Sequence, residues 1–239
     1  MGSTATRGST AVLRRVVRIA STVLIIAGGL LLLDAGLTVV WQEPVSAIYG
    51  RVNQGKLGGQ LEKLEAAPLP PVERRALKAL PDDSKRLAFL ARSMRRKAKD
   101  GQAVGRIRIP RIGARYVIVD GTKAGDLRKG PGIYEQTPFP GAGGTTGIAG
   151  HRTTYGAPFR HVDQLKKGNR IIVTMPYGRF TYTVERLQIV KPTALWVVNR
   201  VSYDRLVLSA CHPLYSAAKR IIVFARLTGA QALGAARSS

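Results

Sequence analysis

The chain has 239 residues, 45% hydrophobic and 22% charged, which allows one medium-sized packed domain with an appendage and excludes global disorder. One cysteine and three histidines exclude a disulfide framework, a four-cysteine zinc site and an iron–sulfur cluster. Thirty-eight Lys and Arg against fourteen Asp and Glu leave a formal charge of +24, which favours polyanionic surroundings (nucleic acid, anionic lipid or a phosphate-rich wall) without specifying a fold.

Residues 19–40 form an apolar run interrupted only by Asp34. As a helix it would reach about 33 Å, enough for a hydrocarbon core of ~30 Å. Arg7, Arg14, Arg15 and Arg18 precede it with no acidic residue among them, which predicts a cytoplasmic N-terminus and an extracellular remainder. The run is longer than a signal-peptide core and no small-residue cleavage site follows it closely, so an uncleaved signal anchor over 19–41 is expected, behind a basic tail over 1–18. Residues 42–72 hold Gly55, Gly58, Gly59, Pro44, Pro68, Pro70 and Pro71 and read as a stalk, partly helical at most.

A helix is predicted over 84–99, with Asp82, Asp83 or Ser84 as N-cap, Leu87, Leu90, Ala91 and Met94 on one stripe, and Gly101 as stop. Its polar face carries Lys85, Arg86, Arg92, Arg95, Arg96, Lys97 and Lys99, so it either lies on anionic headgroups or packs on the domain through the stripe. From Val104 the pattern becomes β-like: runs at 105–109, 116–119, 146–150, 170–175, 179–190, 205–210 and 220–227 predict an all-β barrel or sandwich with minor helices at 123–129 and 158–165. This stretch, 103–239, carries 21 basic and 6 acidic residues. Aromatics are only 6% of the chain and no dense basic block is interleaved with them, so no nucleic-acid partner is expected. Residues 229–239 read as a flexible tail.

In an exported chain an unpaired thiol is an oxidation liability, so Cys211 is expected to be either deeply buried or used. It closes the apolar run at 206–210, and Pro213 soon follows, which puts it at a strand's mouth. Another run opens at Arg220; if the two strands pair antiparallel, Arg220 comes near Cys211. A guanidinium there favours thiolate and donates to a developing oxyanion. A thiol nucleophile also needs an acid for the leaving amine. His212 points away from its neighbour on an extended chain, His161 falls in a short helix, and His151 ends a strand-like run as Cys211 does, so His151 ranks first.

The segment Gly147-Ile-Ala-Gly-His-Arg152, then Pro158-Phe159, Leu165 and Gly168, resembles the sortase histidine region, and 206–227, with cysteine and arginine nine positions apart, resembles the sortase cysteine–arginine region. The likeness covers 103–228, including Ile107-Arg-Ile-Pro110 and Gly132-Ile-Tyr134. It implies a closed eight-stranded β-barrel at the cell surface and a cysteine transpeptidase acting on a Leu-Pro-x-Thr-Gly or Leu-Ala-x-Thr-Gly sorting signal. Cys211 would attack the Thr–Gly carbonyl, His151 would exchange protons with the amines, and Arg220 would hold the oxyanion. The expected partners are surface proteins with a C-terminal sorting signal, a peptidoglycan precursor or pilin amine, and an anionic membrane surface. The family pattern Thr-Leu-x-Thr-Cys is broken by Val207 and by Ala210, a position expected to touch substrate. The loop His-Arg-Thr-Thr-Tyr-Gly most resembles class E sortases, and its Tyr155 is the substrate-binding candidate associated there with alanine in the sorting signal. No cofactor or metal is expected, since Asp163 and Asp204 are too isolated for calcium. The competing readings are a noncatalytic wall-polymer-binding module and a cysteine cell-wall peptidase.

Overall fold

The computed structural model describes residues 6–40 and 44–236. The start of the basic tail, the anchor's end at Trp41 and residues 237–239 of the tail lie outside the described residues. The chain divides after Pro44 into two units. The first is helix α1, Thr6–Val40, which takes in most of the basic tail as well as the apolar run. Within it Arg14–Gly36 is long and apolar enough to cross a membrane. Ser21 and Thr22, polar interruptions of that span, donate their hydroxyls back to Val17 O and Arg18 O at 2.8 and 2.9 Å and so present no unmet donor.

The second unit begins with three helices: α2, Pro44–Ala66; α3, Pro71–Lys78; and α4, Asp83–Lys97. The full-length α2 makes the stalk expected at 42–72 more helical than the partly helical reading of its sequence. Its glycines hid it: a Cβ on Gly55, Gly58 or Gly59 would meet nothing within 4 Å, so they sit on the open side. Leu57, Leu61 and Leu64, spaced at i, i+4 and i+7, bury against Ala103, Val117 and Val119. Each buried leucine is worth roughly 1.5–3 kcal/mol, enough to outweigh the ~1 kcal/mol cost of each helical glycine. The Gln54 amide adds a polar lock. Its Oε1 accepts from Val117 N at 2.7 Å, and its Nε2 donates to Val117 O at 3.1 Å and Lys129 O at 2.9 Å.

In α4 the Asp82 carboxylate accepts from Lys85 N at 2.8 Å, the N-cap the sequence predicts. Leu87, Leu90 and Ala91 are buried in the main core, which decides for packing by the apolar stripe. The fit is close: a Cβ on Gly178 would meet Leu87 Cδ2 at 2.6 Å. Arg95, expected on the polar face, instead pairs with the buried Asp120 and lies 4.8 Å from the Phe139 ring centroid.

Eight strands follow: β1, Ala103–Ile109; β2, Ala114–Asp120; β3, Gly132–Ile133; β4, Thr145–Ala149; β5, Arg170–Met175; β6, Gly178–Val190; β7, Arg205–His212; and β8, Lys219–Ala232. They close into a barrel in the order β1-β2-β3-β4-β7-β8-β6-β5. Pairs β2/β3 and β4/β7 are parallel and the rest antiparallel. The expected helix at 123–129 is α5, Ala124–Leu127, whereas 158–165 yields only a 3-10 turn at Val162–Gln164. At the C-terminal end, β8 runs on to Ala232 and a 3-10 turn follows at Gly234–Ala236, with Ala232 and Ala236 buried in the core. The start of the expected flexible tail is thus part of the fold: Gly178 through Phe180 pair with Ala232 through Ala230.

Candidate active site

Three strands place the chemistry-bearing residues. Strand β7 lies between β4 and β8. In the antiparallel β7/β8 ladder Cys211 stands directly opposite Arg220, so their Cβ atoms share a face about 5 Å apart. In the parallel β4/β7 ladder every partner is sixty positions away, from Thr145↔Arg205 to Ala149↔Ser209. The ladder continues beyond β4, since Gly150 N donates to Ser209 O at 3.0 Å. His151 follows Gly150, and its neighbour Arg152 donates to Cys211 O at 3.3 Å, which brings the His151 segment alongside the end of β7. Cys211 and Arg220 therefore face each other, His151 is on the adjoining segment, and all three are half-buried.

Cys211 is a free thiol. It belongs to β7 itself, which runs one residue past it, so pairing with β8 holds its backbone. The Arg220 guanidinium donates from Nη1 to Ala217 O at 2.9 Å and Lys219 O at 3.0 Å, spanning the turn into β8. Its remaining N–H groups give it capacity for an oxyanion. His151 Nε2 is buried with no hydrogen-bond partner among the described residues. Burial, and then the positive charge of Arg128, hold the His151 imidazole below its ordinary pKa, so it is neutral at pH 7.

Tyr155 forms a wall of this space. Its ring lies 5.2 Å from the His151 ring, 5.8 Å from that of Tyr49 in edge contact, and 5.8 Å from the Arg128 guanidinium. Its backbone is in the left-handed region, φ 53°, at a cost of about 1–2 kcal/mol for a non-glycine residue. Helix α2 braces that conformation, since Tyr155 N donates to Ser46 Oγ at 3.3 Å. A Cβ on Gly50 would meet the Tyr155 carbonyl carbon at 2.8 Å, a backbone atom that cannot swing aside. Replacing Gly50 with valine should push α2 off the loop and lower the enzyme's catalytic efficiency several-fold while the barrel still melts cooperatively. Unchanged steady-state kinetics would show that the loop holds its place without α2.

Ala210, expected to touch substrate, is buried in the main core, on the opposite side of β7 from Cys211, and Val207 packs outside the barrel with Val197, Ile222 and Phe224. Of the other histidines, His161 is exposed and lies 3.3 Å from Gln164 Nε2, while His212 Nδ1 lies 3.3 Å from Arg152 Nη1. Arg152 is the residue that sequence reasoning passed over. Nearly fully buried, it donates to Cys211 O at 3.3 Å and to Arg160 O at 3.2 and 3.3 Å, and pairs with Asp163 at 3.0 Å. It ties the segment after β4 to the nucleophile's own carbonyl. Its only sequence signal is adjacency to His151.

The Arg128 charge offers a titration test. A neutral imidazole is the form able to take a proton from a thiol, so a lowered pKa extends that form toward acid. Replacing Arg128 with glutamine removes one of the two lowering influences, and the His151 titration should move upward. Imidazole NMR measures it directly; no movement, or a downward one, would remove Arg128 from the account.

Comparison with known proteins gives the family of the chain. The sortase domain family model matches residues 107–228. Sortase D of Bacillus subtilis is 32% identical over 170 residues, which cover 70% of this chain and 81% of that protein. Among solved structures, a sortase D5 transpeptidase from Clostridium perfringens is similar at 26% identity and a TM-score of 0.52, over 62% of this chain and 99% of that one. A sortase E from Streptomyces avermitilis is similar at 30% identity and a TM-score of 0.52, over 58% and 99% respectively.

Proposed function

This chain belongs to the sortase family of cysteine transpeptidases, and we propose that it cleaves a Leu-Pro-x-Thr-Gly or Leu-Ala-x-Thr-Gly sorting signal between threonine and glycine. The observation that supports this reading is Cys211 directly opposite Arg220, with the segment of His151 tied to Cys211 O through Arg152. Cys211 Sγ attacks the threonine carbonyl carbon while His151 takes the thiol proton. The tetrahedral oxyanion accepts hydrogen bonds from Arg220. As the C–N bond breaks, His151 delivers that proton to the leaving glycine amine, leaving a thioester on Cys211. An incoming amine then loses its proton to His151, attacks the thioester and releases the thiol. A resting neutral imidazole suits this order, because the proton given to the amine is the one received from the thiol.

The substrates on this reading are surface proteins with a C-terminal sorting signal, and the acceptor is the amine of a peptidoglycan precursor or a pilin. Arg7, Arg14, Arg15 and Arg18 support a cytoplasmic N-terminus with α1 as a single-pass anchor and the barrel outside. The basic surface supports residence at anionic lipid. Both D- and E-type sortases are among the similar proteins, so the class E reading rests on the loop after His151. There Tyr155, against the His151 ring, is the residue we assign to reading the second position of the signal.

The test is mass spectrometry of the protein incubated with a small library of sorting peptides and triglycine. The expected result is an acyl adduct on Cys211 and a new amide bond to triglycine. Release by water alone would favour a peptidase, and an inert thiol would favour a noncatalytic wall-polymer-binding module.

A further inference from the structure

The outer face of the barrel, away from Cys211, carries an arrangement that the transpeptidase reaction does not use. A cleft of about 400 Å³ is lined by Arg106, Arg108, Arg115 and Arg179, with Thr174 and Gln54 among its other residues. The ladders explain the clustering. Arg108 is directly opposite Arg115 across β1/β2, and Arg106 and Arg179 flank Thr174 from β1 and β6. Arg106 is paired with Glu65 of α2, but Arg108, Arg115 and Arg179 have no carboxylate partner among the described residues.

Like charges directly opposite on neighbouring strands destabilise a sheet. Arg108, Arg115 and Arg179 are exposed, and four guanidiniums around one groove, with Glu65 the one carboxylate paired to any of them among the described residues, leave a local excess of positive charge. A dianion between the guanidiniums reverses the sign of that interaction. Guanidinium groups hold phosphate oxygens through paired N–H donors, and Thr174 adds a hydroxyl. The volume falls within the range of small-ligand sites. The cleft also adjoins the catalytic loop: Tyr116, which lines it, donates its hydroxyl to Gly156 O at 2.5 Å, next to Tyr155.

We propose that this cleft is a binding site for a phosphate- or pyrophosphate-bearing anion, held by Arg106, Arg108, Arg115 and Arg179. Its occupant is either a phosphate carried on a soluble or precursor molecule or the headgroup of an anionic lipid. The site is independent of the assignment of Cys211.

The test uses the full chain in zwitterionic detergent, titrated calorimetrically with inorganic pyrophosphate. Saturable binding that weakens as salt rises is expected, with at least a tenfold loss of affinity in the Arg108→Gln/Arg115→Gln double variant. Without ligand that variant should melt no lower than the parent, since it loses a repulsive pair, so its weaker binding is not unfolding. Undiminished affinity in the double variant overturns the proposal. Phenylglyoxal labelling of Arg108 and Arg115, read by mass spectrometry, separates the sources. Protection by pyrophosphate alone assigns a soluble or precursor phosphate, and protection in phosphatidylglycerol nanodiscs but not phosphatidylcholine ones assigns the lipid. Protection by neither probe overturns the site.

Discussion

Replacing Cys211 with alanine is expected to abolish cleavage of sorting peptides, with a fall of at least about 10⁴-fold, and to leave no acylated protein on the mass spectrum. The side chain is only half-buried and its backbone is held by pairing with β8, so losing one sulfur should hardly affect folding. His151→Ala should cost about 10²–10⁴-fold, since it removes the group that carries the proton from thiol to amine. Arg220→Lys is the sharper probe of the third member. Lysine keeps the charge but not the planar fork, so a large loss would show that hydrogen-bond direction matters beyond field. Parallel losses in Arg220→Lys and Arg220→Ala, with His151→Ala inactive, are the expected pattern. Residual peptide cleavage in Cys211→Ala at the parent's rate would end the thioester mechanism.

Replacing Arg152 with leucine should be the most destabilising single change near the site, by roughly 2–4 kcal/mol. The guanidinium is almost completely buried and reaches two backbone carbonyls, those of Arg160 and Cys211, which an apolar side chain leaves without a donor. Catalysis should fall as well, because the carbonyl at issue is the nucleophile's own. Asp163 is half-exposed, so Asp163→Asn should cost less than Arg152→Leu. Denaturant melts of the two variants check the order. Equal losses would shift the weight from the carbonyl contacts to the ion pair.

The residues proposed for catalysis stand out in the local pattern. A strand ending near a proline, a second strand beginning with arginine, and a third ending in histidine are visible in the order of residues, because strand alternation and breakers are short-range signals. Family resemblance then put the three together. The eighth strand came from the family resemblance and not from the seven β-like runs, because β3 is only Gly132–Ile133, two residues joined to β2 and β4 and too short to show alternation. The end of the chain was read as loose because Gly229 looks like a stop, whereas pairing with β6 carries β8 to Ala232.

What the residue order alone determined is the apolar anchor-length helix, the N-cap and stripe of α4, most of the strands, and the identities of the thiol, imidazole and guanidinium. These depend on neighbours within a few positions. Closure of the barrel decided the rest. It set the sixty-residue offset between β4 and β7, and turned the glycine-bearing segment before α3 into a helix braced against Tyr155. It also buried Arg152 under the nucleophile and faced Arg108 with Arg115. Each of these joins residues distant in sequence. Their energies come from burial and strand register, and no local window contains either one.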